Sequence, residues 1–567
     1  MKHFFLCLAI LAIGCTSQVN TSTDQSQNSN RGVIGDSAMV STAHPLASQI
    51  GKEILKKGGN AFDAAIAIQF TLAVVYPVAG NIGGGGFAVF RTTDGQTGAL
   101  DFREKAPALA SKDMYLDQEK NVIPKLSTEG HLAAGVPGSV DGMFKLHEKY
   151  GSLPMEQLIQ PAIDFAFNGV ELYEIDVQNI NKYQELFKKY DNDHNYYIKD
   201  TPWKAGDVIY HKELAGTLSF IRDFGRDGFY KGIVANQIVA EMRLGKGYIT
   251  KEDLANYSAK WRKPLTGKYR GYEVISMPPP SSGGVALLQL LAGAEAYDIG
   301  KSGHNTANTI HIMTELERRV YADRATHLAD PDYYDVPVEM LLSKKYNEER
   351  FSDIEKNKAT PSEKIKEGKV DVIESMETTH FSVVDKDGNA VSITTTINGY
   401  FGCKVMVKGA GFFLNNEMDD FSAKPGVPNM FGLVGAEANA IAPGKRMLSS
   451  MTPTILTKDG QLAMVVGTPG GSTIITSVFQ TILNVVDHQM TMKEAVSAPR
   501  VHHQWLPNRV LYESGTLSEK TLGQLQRLGH KMEERGAYGK MDCIMVLPDG
   551  QLEGASDPRN YGTAEGY

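Results

Sequence analysis

The strongest candidate for a catalytic side chain is Thr378, the second residue of the tetrapeptide ETTH (377–380). It stands between a charged segment, residues 353–377, and a predicted β-strand that begins at Phe381. A threonine hydroxyl acts as a nucleophile when a base is placed beside it. Adjacent threonines are also typical of an ordinary β-strand. The chemical interpretation of Thr378 therefore depends on the residues around it.

Several long sequence blocks accompany Thr378. Residues 378–398 read TTHFSVVDKDGNAVSITTTIN, and the other blocks are GNIGGGGF (80–87), LDFREKAP (100–107), NNEMDDFSAKPGVPN (415–429), KRMLSSMTPTI (445–455), GTPGGSTIITSV (467–478) and GASDPR (554–559). In their order along the chain, these blocks resemble those of the γ-glutamyltranspeptidases, a family of N-terminal-nucleophile hydrolases. The resemblance covers residues 33–567, and so many ordered blocks are far more specific than one short motif.

The resemblance implies a precursor that cuts itself between Glu377 and Thr378. In the family, the threonine hydroxyl attacks the preceding carbonyl, and hydrolysis of the resulting ester leaves two chains. The freed α-amino group has an ordinary pKa of roughly 7.7–8.0, so near neutral pH much of it is uncharged and can act as base. It activates the hydroxyl of its own residue. By the same resemblance, Thr396 orients the Thr378 hydroxyl.

The resemblance also implies a pocket for a γ-glutamyl group. The backbone N–H groups of Gly470 and Gly471 would form the oxyanion hole, although a Pro-Gly-Gly sequence alone indicates only a turn. A γ-glutamyl group carries an α-carboxylate and an α-ammonium, so its pocket must present both signs of charge. The implied residues are Arg103, Ser449 and Ser450 for the carboxylate, and Asn398, Glu417 and Asp420 for the ammonium.

Two positions depart from the pattern of some bacterial members. Glu417 stands where some relatives carry glutamine. The carboxylate adds a negative charge beside the ammonium and leaves the expected substrate class unchanged. Residues 425–436 resemble a lid loop over the glutamyl pocket, and Phe431 stands where some members have tyrosine. Its ring can exclude water but lacks the hydroxyl contact, so we predict a looser lid closure.

The elements that must position these residues can be read from the sequence. Helices are predicted for 47–57 and for 61–75, with Asn60 as the N-cap of the second. Strands are predicted for 88–91, 99–103, 381–384, 390–396, 454–457, 462–466, 509–512 and 543–546, with mostly helices between 140 and 350. Residues 353–377 are charged and weakly apolar, which predicts an exposed, mobile segment, with a solvated surface helix as the alternative for 363–369.

Helical regions beside antiparallel strands indicate a layered fold. The resemblance narrows it to an α+β, four-layered αββα sandwich of the N-terminal-nucleophile hydrolase type. Its two chains would come from one precursor: a large subunit, 33–377, and a small catalytic subunit, 378–567. The two would form one intertwined heterodimer.

The N-terminus predicts export. Lys2 and His3 precede an apolar run, and residues 1–14 read as a signal peptide. LAIGC (11–15) resembles a bacterial lipoprotein site at which Cys15 is lipidated, and a plain cleaved signal is the alternative. The polar residues 15–32 suit a flexible tether. The expected location is the periplasm, or the outer membrane as a lipoprotein, of a bacterium.

Composition and motifs limit the partners. With a net charge of −8 and no long basic stretch, a nucleic-acid partner is not expected. The chemistry implied by the resemblance needs no cofactor or metal, and His502-His503 is interpreted as structural. The sequence does not decide whether Cys403 and Cys543 are bridged.

The sequence also permits three alternative functions to be compared with the one that the resemblance implies. A related N-terminal-nucleophile acylase of the glutaryl or cephalosporin type would not need the set that binds the ammonium. A nucleotide-binding loop at 83–86 would require a helix directly after the glycines, whereas a strand is predicted there. An inactive, lipid-anchored binding protein would not need Thr378, Thr396, Gly470 and Gly471. The preferred reading is a γ-glutamyltransferase and glutathione hydrolase that passes the γ-glutamyl group to water or to amine acceptors.

Overall fold

The computed structural model describes residues 31–191, 194–365 and 378–567, which form two stacked β-sheets between two helical layers. The strands are β1 (Val33–Gly35), β2 (Met39–Thr42), β3 (Gly85–Arg91), β4 (Thr97–Asp101), β5 (Val170–Glu171), β6 (Val208–Ile209), β7 (Lys260–Arg262), β8 (Leu265–Tyr269), β9 (Tyr272–Ser276), β10 (Thr379–Val384), β11 (Ala390–Thr396), β12 (Thr454–Lys458), β13 (Gln461–Val466), β14 (Val501–His502), β15 (Val510–Glu513), β16 (Met532–Arg535), β17 (Asp542–Val546), β18 (Leu552–Ser556) and β19 (Thr563–Gly566).

The helices flank these strands in the chain. They are α1 (Pro45–Lys56), α2 (Ala61–Val75), α3 (Ser139–Tyr150), α4 (Met155–Asn168), α5 (Glu174–Asp191), α6 (Lys212–Phe224), α7 (Asp227–Tyr230), α8 (Gly232–Leu244), α9 (Lys251–Ala255), α10 (Gly283–Ala294), α11 (Ile299–Ser302), α12 (Ala307–His327), α13 (Val338–Leu342), α14 (Lys344–Phe351), α15 (Ser362–Ile365), α16 (Thr473–Val486), α17 (Met492–Ser497) and α18 (Glu519–Leu528).

Both large sheets are antiparallel and have seven strands. One has the order β1-β18-β17-β13-β12-β9-β8, and the other β19-β2-β10-β11-β3-β4-β7. Apolar side chains such as Val89, Ile455 and Ile544 are buried between them. Helices α1 to α4 cover the outer face of the second sheet, and α10, α12 and α16 cover that of the first. The predicted αββα sandwich is confirmed.

The two predicted subunits share this framework. Strands β10 and β11, which follow residue 378, lie between β2 and β3, which precede it. Neither part could therefore complete its central sheet alone. The predicted boundary between Glu377 and Thr378 stays a prediction, because residues 366–377 lie outside the described residues.

Helix α2 illustrates how the sequence determines its element. The Asn60 side chain accepts hydrogen bonds from the backbone of Phe62 and Asp63, and Asp63 bonds back to the Asn60 backbone, a capping box. Every residue from Ala61 to Val75 is buried, as the apolar sequence predicts. Helix α2 thereby supports the sheet that carries Thr378.

Two predicted segments differ from the structure. The strand predicted for 99–103 ends at Asp101, whose carboxylate accepts a hydrogen bond from the Arg103 backbone N–H and turns the chain. The segment beginning at Asp353 was expected to be exposed. That prediction is wrong for Ser362, which is buried. The Ser362 hydroxyl donates to the Trp505 carbonyl oxygen, and the Trp505 indole N–H donates to the Ser362 carbonyl oxygen.

Other predictions concern the ends and the cysteines. The signal peptide, Cys15, the tether up to residue 30 and Glu377 all lie outside the described residues. Cys403 and Cys543 lie in the apolar cores on opposite sides of the stacked sheets and are not bridged to each other. Within the ranges that the structure describes, no helix is long and apolar enough to cross a membrane.

Candidate active site

Thr378 lies at the entry to β10, in the middle of a seven-stranded sheet. The register pairs Thr379 with Thr395 of β11, which places Thr378 opposite Thr396. The two hydroxyl oxygens are 3.5 Å apart, and both residues are buried. The hairpin thus brings together the two threonines that the sequence predicted as nucleophile and orienting residue.

The end of β11 also positions Asn398. Asn398 adopts a left-handed backbone conformation with φ of 70°, which asparagine tolerates better than most residues. Its backbone N–H donates to the Thr396 hydroxyl oxygen at 2.7 Å, and its side-chain amide donates to the Asn416 carbonyl at 3.0 Å. The Thr396 hydroxyl oxygen is thereby fixed as an acceptor, and the Thr396 side chain also has a hydrogen bond with Glu417.

Glycines bring the preceding loop close to this point. A Cβ at Gly84 would lie 2.0 Å from the Thr396 carbonyl oxygen, and one at Gly85 would lie 2.7 Å from a Glu104 carboxylate oxygen. The glycine-rich turn therefore permits close backbone packing at the end of β11. As the sequence indicated, the turn leads into strand β3, whereas a phosphate-binding loop leads into a helix.

Gly470 and Gly471 form the turn before helix α16. Both have positive φ, 141° and 54°, a conformation that favours glycine. Their carbonyls accept the first bonds of the helix, from Thr473 and Ile474. Backbone N–H groups at a helix N-terminus are suited to binding negative charge. Gly471 lines the same pocket as Thr378, and the oxyanion hole at Gly470 and Gly471 stays a prediction.

Arg103 is the centre of a buried ion cluster. Its Nη1 lies 2.6 Å from Glu417 and 3.5 Å from Glu104, and its Nη2 lies 2.5 Å from Asp420. The short 3-10 turn Glu417–Asp420 presents its two terminal carboxylates to one guanidinium. Arg103 is 1% exposed and Glu417 is fully buried, so these ion pairs are shielded from water.

Burial and mutual repulsion change the ionisation of these acids. Burial raises the pKa of Glu104 to about 8, although Arg103 opposes the shift. Burial likewise raises the pKa of Glu417 well above its usual range, and that of Asp420 is raised for the same reason. The pKa of Arg103, which burial would lower, is raised by the three carboxylates. The cluster therefore has more acidic groups than one guanidinium can hold fully ionised.

Ser449 and Ser450 lie at the same end of the pocket. Ser449 is held by backbone hydrogen bonds to Pro280 and Ser282. Ser450 accepts a hydrogen bond from the Arg324 guanidinium at 3.1 Å, and Arg324 also donates to the Ser282 hydroxyl at 2.9 Å. Ser449 and Ser450 are both buried, in agreement with a role in binding rather than in a surface turn.

Three acidic or basic residues of this site were missed in the sequence. Arg324 lies on α12, where every residue from Thr309 to Arg324 is buried. The density of charge on that helix, with no polar face, was a signal of buried ion pairs. Glu104 directly follows Arg103, and the pKa of buried Asp419 is raised to about 6. Nothing local distinguishes Asp419 from its acidic neighbours.

The predicted lid loop, residues 425–436, contributes Phe431 and Leu433 to the lining of the pocket. The Asn429 amide donates to Asp420 at 3.0 Å, and the Met430 backbone N–H donates to Asp419 at 2.8 Å. Phe431 is buried, and a Cβ built on Gly471 would lie 2.5 Å from its ring. The ring is therefore packed on the oxyanion turn. The looser closure predicted from the missing hydroxyl stays a prediction.

These residues line one pocket. Most of the predicted residues line it, and Gly470 adjoins its lining. The lining residues are Arg103, Arg324, Thr378, Thr396, Asn398, Glu417, Asp420, Phe431, Leu433, Ser449, Ser450, Met451, Gly471 and Ile474. The predicted nucleophile, a helix N-terminus and charges of both signs thus line a single pocket.

A possible metal site lies elsewhere. In the described parts of the chain, potential ligand atoms of His311, Glu315 and His530 lie within 4.8 Å of one another. Glu315 is already paired with Arg319 at 2.7 Å and lies 3.4 Å from Arg318. Two guanidinium groups beside the carboxylate oppose a divalent cation. We interpret the group as a structural ion pair next to a histidine pair.

The sequence is similar to known enzymes over most of its length. A family model described as Gamma-glutamyltranspeptidase matches residues 47–567. The chain is 48% identical over 524 residues to the glutathione hydrolase proenzyme of Escherichia coli (strain K12), which covers 92% of this chain and 90% of that protein.

Solved structures also resemble the chain. The γ-glutamyltranspeptidase of Helicobacter pylori is 49% identical, with a TM-score of 0.56, over 57% of this chain and 93% of that one. A cephalosporin acylase from Bacillus halodurans has a TM-score of 0.84 with 28% identity, over 98% of this chain and 99% of that one. The acylase thus shares the fold, whereas the higher identities are with the glutathione hydrolase and transpeptidase. The chain belongs to the γ-glutamyltranspeptidase family.

Proposed function

We propose that the protein is a self-processing γ-glutamyltransferase and glutathione hydrolase, with Thr378 as its nucleophile. The observation that carries the proposal is the combination of Thr378 with a cavity of both charge signs. The hydroxyl of Thr378 lies 3.5 Å from that of Thr396 at one end. Arg103 lies among Glu417 and Asp420 at the other.

Maturation is the first step. The Thr378 hydroxyl attacks the Glu377 carbonyl carbon, the peptide nitrogen takes the hydroxyl proton, and an ester replaces the peptide bond. Water then hydrolyses the ester, which leaves a free α-amino group on Thr378 and restores its hydroxyl. That amine is the base for the later steps, since its ordinary pKa of roughly 7.7–8.0 leaves much of it neutral near neutral pH.

Acyl transfer follows in two halves. The Thr378 oxygen attacks the γ-glutamyl carbonyl while its proton passes to the α-amine, and the amine then protonates the departing nitrogen. The γ-glutamyl ester next passes to water or to an amine acceptor by the same proton route. The N–H groups of Gly470 and Gly471 stabilise the oxyanion, and one such donor is worth about 3–4 kcal/mol.

Substrate recognition depends on the charged end. We assign the α-carboxylate of the donor to Arg103, Ser449 and Ser450, and its α-ammonium to Asn398, Glu417 and Asp420. An ammonium supplies the positive charge that the crowded acids lack. Once it is bound, Glu417 and Asp420 are stabilised in their ionised forms. A glutaryl donor has the carboxylate and no ammonium, so it would leave these acids without compensation.

The test compares γ-glutamyl-p-nitroanilide with glutaryl-p-nitroanilide, which differ only in the α-ammonium. We expect kcat/KM to be at least about 100-fold higher for the γ-glutamyl compound, since two charge-assisted contacts contribute about 3 kcal/mol. A higher kcat/KM for the glutaryl compound would establish the acylase alternative instead. An intact single chain without turnover on either would support the inactive binding protein.

We further propose that the chain is exported and is lipidated at Cys15, in the periplasm or the outer membrane of a bacterium. The support is the LAIGC sequence after a short apolar run and the polar stretch behind it. Expression with a labelled fatty acid tests the proposal: wild type should be labelled, and Cys15→Ser should not. Release of unlabelled wild-type protein in soluble form would favour the plain signal peptide.

A further inference from the structure

The lid loop is bonded to a residue outside the pocket. The side-chain amide of Gln504 donates to the carbonyl oxygen of Phe431 at 3.2 Å, and both residues are buried. Gln504 follows β14 and is absent from the residues that line the cavity. It therefore contacts the backbone of the lid without contacting the space where substrate binds.

The other end of the Gln504 amide is fixed by a histidine. Its carbonyl oxygen lies 2.9 Å from Nε2 of His502, so that nitrogen must carry the proton. Burial lowers the pKa of His502 to about 3, which leaves the ring neutral. Its Nδ1 is consequently an acceptor, and the Thr476 hydroxyl lies 2.8 Å away as the donor. The His502 ring thus donates to Gln504 and accepts from Thr476, whose hydroxyl also lies 3.1 Å from the Thr473 carbonyl oxygen.

The chain of hydrogen bonds through Gln504, His502 and Thr476 ends on the helix that follows the oxyanion turn. Thr476 lies in the first turn of α16, directly after Gly470 and Gly471. The Phe431 ring meets Gly471 directly, so the lid contacts this helix in two ways. One contact is made by the ring, and the other runs through Gln504, His502 and Thr476.

We propose that Gln504 is a positioning residue that holds the lid loop closed over the γ-glutamyl pocket and in register with the oxyanion turn. The inference deepens the proposed function and rests on it for its kinetic consequence. Loss of the bond leaves the nucleophile and its base in place, since Gln504 is not among the residues that line the pocket with Thr378 and Thr396. Donor binding weakens because the lid is open for a larger fraction of time.

The test uses two substitutions at Gln504 in the mature, two-chain enzyme. Gln504→Leu removes both hydrogen bonds of the amide. Gln504→Glu keeps an acceptor toward His502, and once ionised it places a carboxylate against the Phe431 carbonyl, so at a pH above the raised pKa of a buried carboxyl it removes the lid bond alone. Either variant suffices should the other fail to mature.

Gln480 provides the matched control. It is a buried glutamine of α16 whose amide donates to Val501 at 2.7 Å and to Thr476 at 2.9 Å. Its side-chain oxygen accepts from the Val501 N–H at 3.0 Å. Gln480→Leu therefore loosens the same helix and strand without removing a bond to the lid loop.

Two measurements separate positioning from general loosening. One is amide hydrogen exchange of residues 425–436 in the free enzyme, and the other is the KM and kcat for a γ-glutamyl anilide. For both Gln504 variants we expect lid exchange and KM to rise by about fivefold, the equivalent of one neutral hydrogen bond, with kcat within about twofold. Gln480→Leu should lower the melting temperature and leave both quantities at the wild-type value.

Unchanged lid exchange in mature Gln504→Leu and Gln504→Glu would overturn the proposal. Equal increases in Gln480→Leu would also overturn it, since the role would then be structural support alone. Faster lid exchange in a protein whose wild type shows no turnover would support the latch and refute the proposed function.

Discussion

The two ends of the pocket present different kinds of chemical group. At the nucleophile end, Thr378 and Thr396 face each other across paired central strands, and the oxyanion turn offers backbone groups. This end carries hydroxyls and dipoles, and it adjoins the recognition end at Glu417, whose carboxylate has a side-chain hydrogen bond with Thr396. At the recognition end, Arg103 meets Glu417 and Asp420, which come from a separate loop more than 300 positions away in the sequence.

The difference determines what each end can tolerate. Hydroxyls in a strand register are positioned by the backbone of the sheet, so their removal deletes chemistry and leaves the fold intact. Buried charges cost several kcal/mol each in lost hydration unless they are paired. Substitution at the recognition end should therefore alter affinity and stability together, whereas substitution at the nucleophile end should abolish turnover.

The largest expected effect is that of Thr378→Ala. Without the hydroxyl there is neither self-cleavage nor acyl transfer, so a denaturing gel should show one band and turnover should fall by on the order of 10⁶-fold. Thr378→Ser is the control, because it retains a hydroxyl and should be both cut and active. A cleaved or active Thr378→Ala protein would place the nucleophile elsewhere.

Arg103→Lys should separate the two ends. A single ammonium cannot form the fork that contacts Glu417 and Asp420, so kcat/KM for a γ-glutamyl anilide should fall by about 100-fold. Self-cleavage should persist. Arg262→Lys, which changes an ion pair with Asp101 outside the pocket, should leave kcat/KM near wild type. Loss of cleavage in Arg103→Lys would show that the ends are not independent.

Arg324→Gln should have a smaller effect, restricted to the α-carboxylate. Its charge-assisted bond to Ser450 is worth about tenfold, so KM for the γ-glutamyl anilide should rise by that factor. The matched substrate is 4-aminobutanoyl-p-nitroanilide, which lacks the α-carboxylate. Its kcat/KM should not change between wild type and Arg324→Gln. An equal loss on both anilides would assign Arg324 to general packing.

Glu104→Gln should change the pH dependence of stability. Burial raises the pKa of Glu104 from 4.5 to about 8, so between these values the folded protein holds a proton that the unfolded chain has released. The contribution of this group to stability therefore falls as pH rises through that range. A glutamine does not ionise, so the melting temperature of the variant relative to wild type should increase from about pH 5 to about pH 8. A constant difference would refute the raised pKa.

The same comparison explains how much of the molecule the sequence predicts. Local signals are sufficient for α2, capped by Asn60, and for the hairpin whose register sets Thr378 opposite Thr396. The glycine turn before β3 was also placed correctly, because the strand that follows it could be predicted from the sequence. These features arise from contacts between residues that are close in the sequence or in adjacent strands.

The recognition end could not be predicted in this way. Arg103 and Asp420 meet only after the fold is formed, and the family resemblance supplied their association. Arg324 was missed because a charged helix is ordinarily solvated, and its burial depends on layers packed from distant parts of the chain. Gln504 was missed for a similar reason, since its partner is a backbone carbonyl of the lid loop.

The central claim is that a backbone amine, released by self-cleavage, is the base for Thr378. Sequencing the N-terminus of the smaller chain from active enzyme tests it most directly. The account predicts the sequence Thr-Thr-His, from residues 378–380, together with full activity of the two-chain form. Full activity from a single uncut polypeptide, or a small chain that begins at another residue, would contradict it.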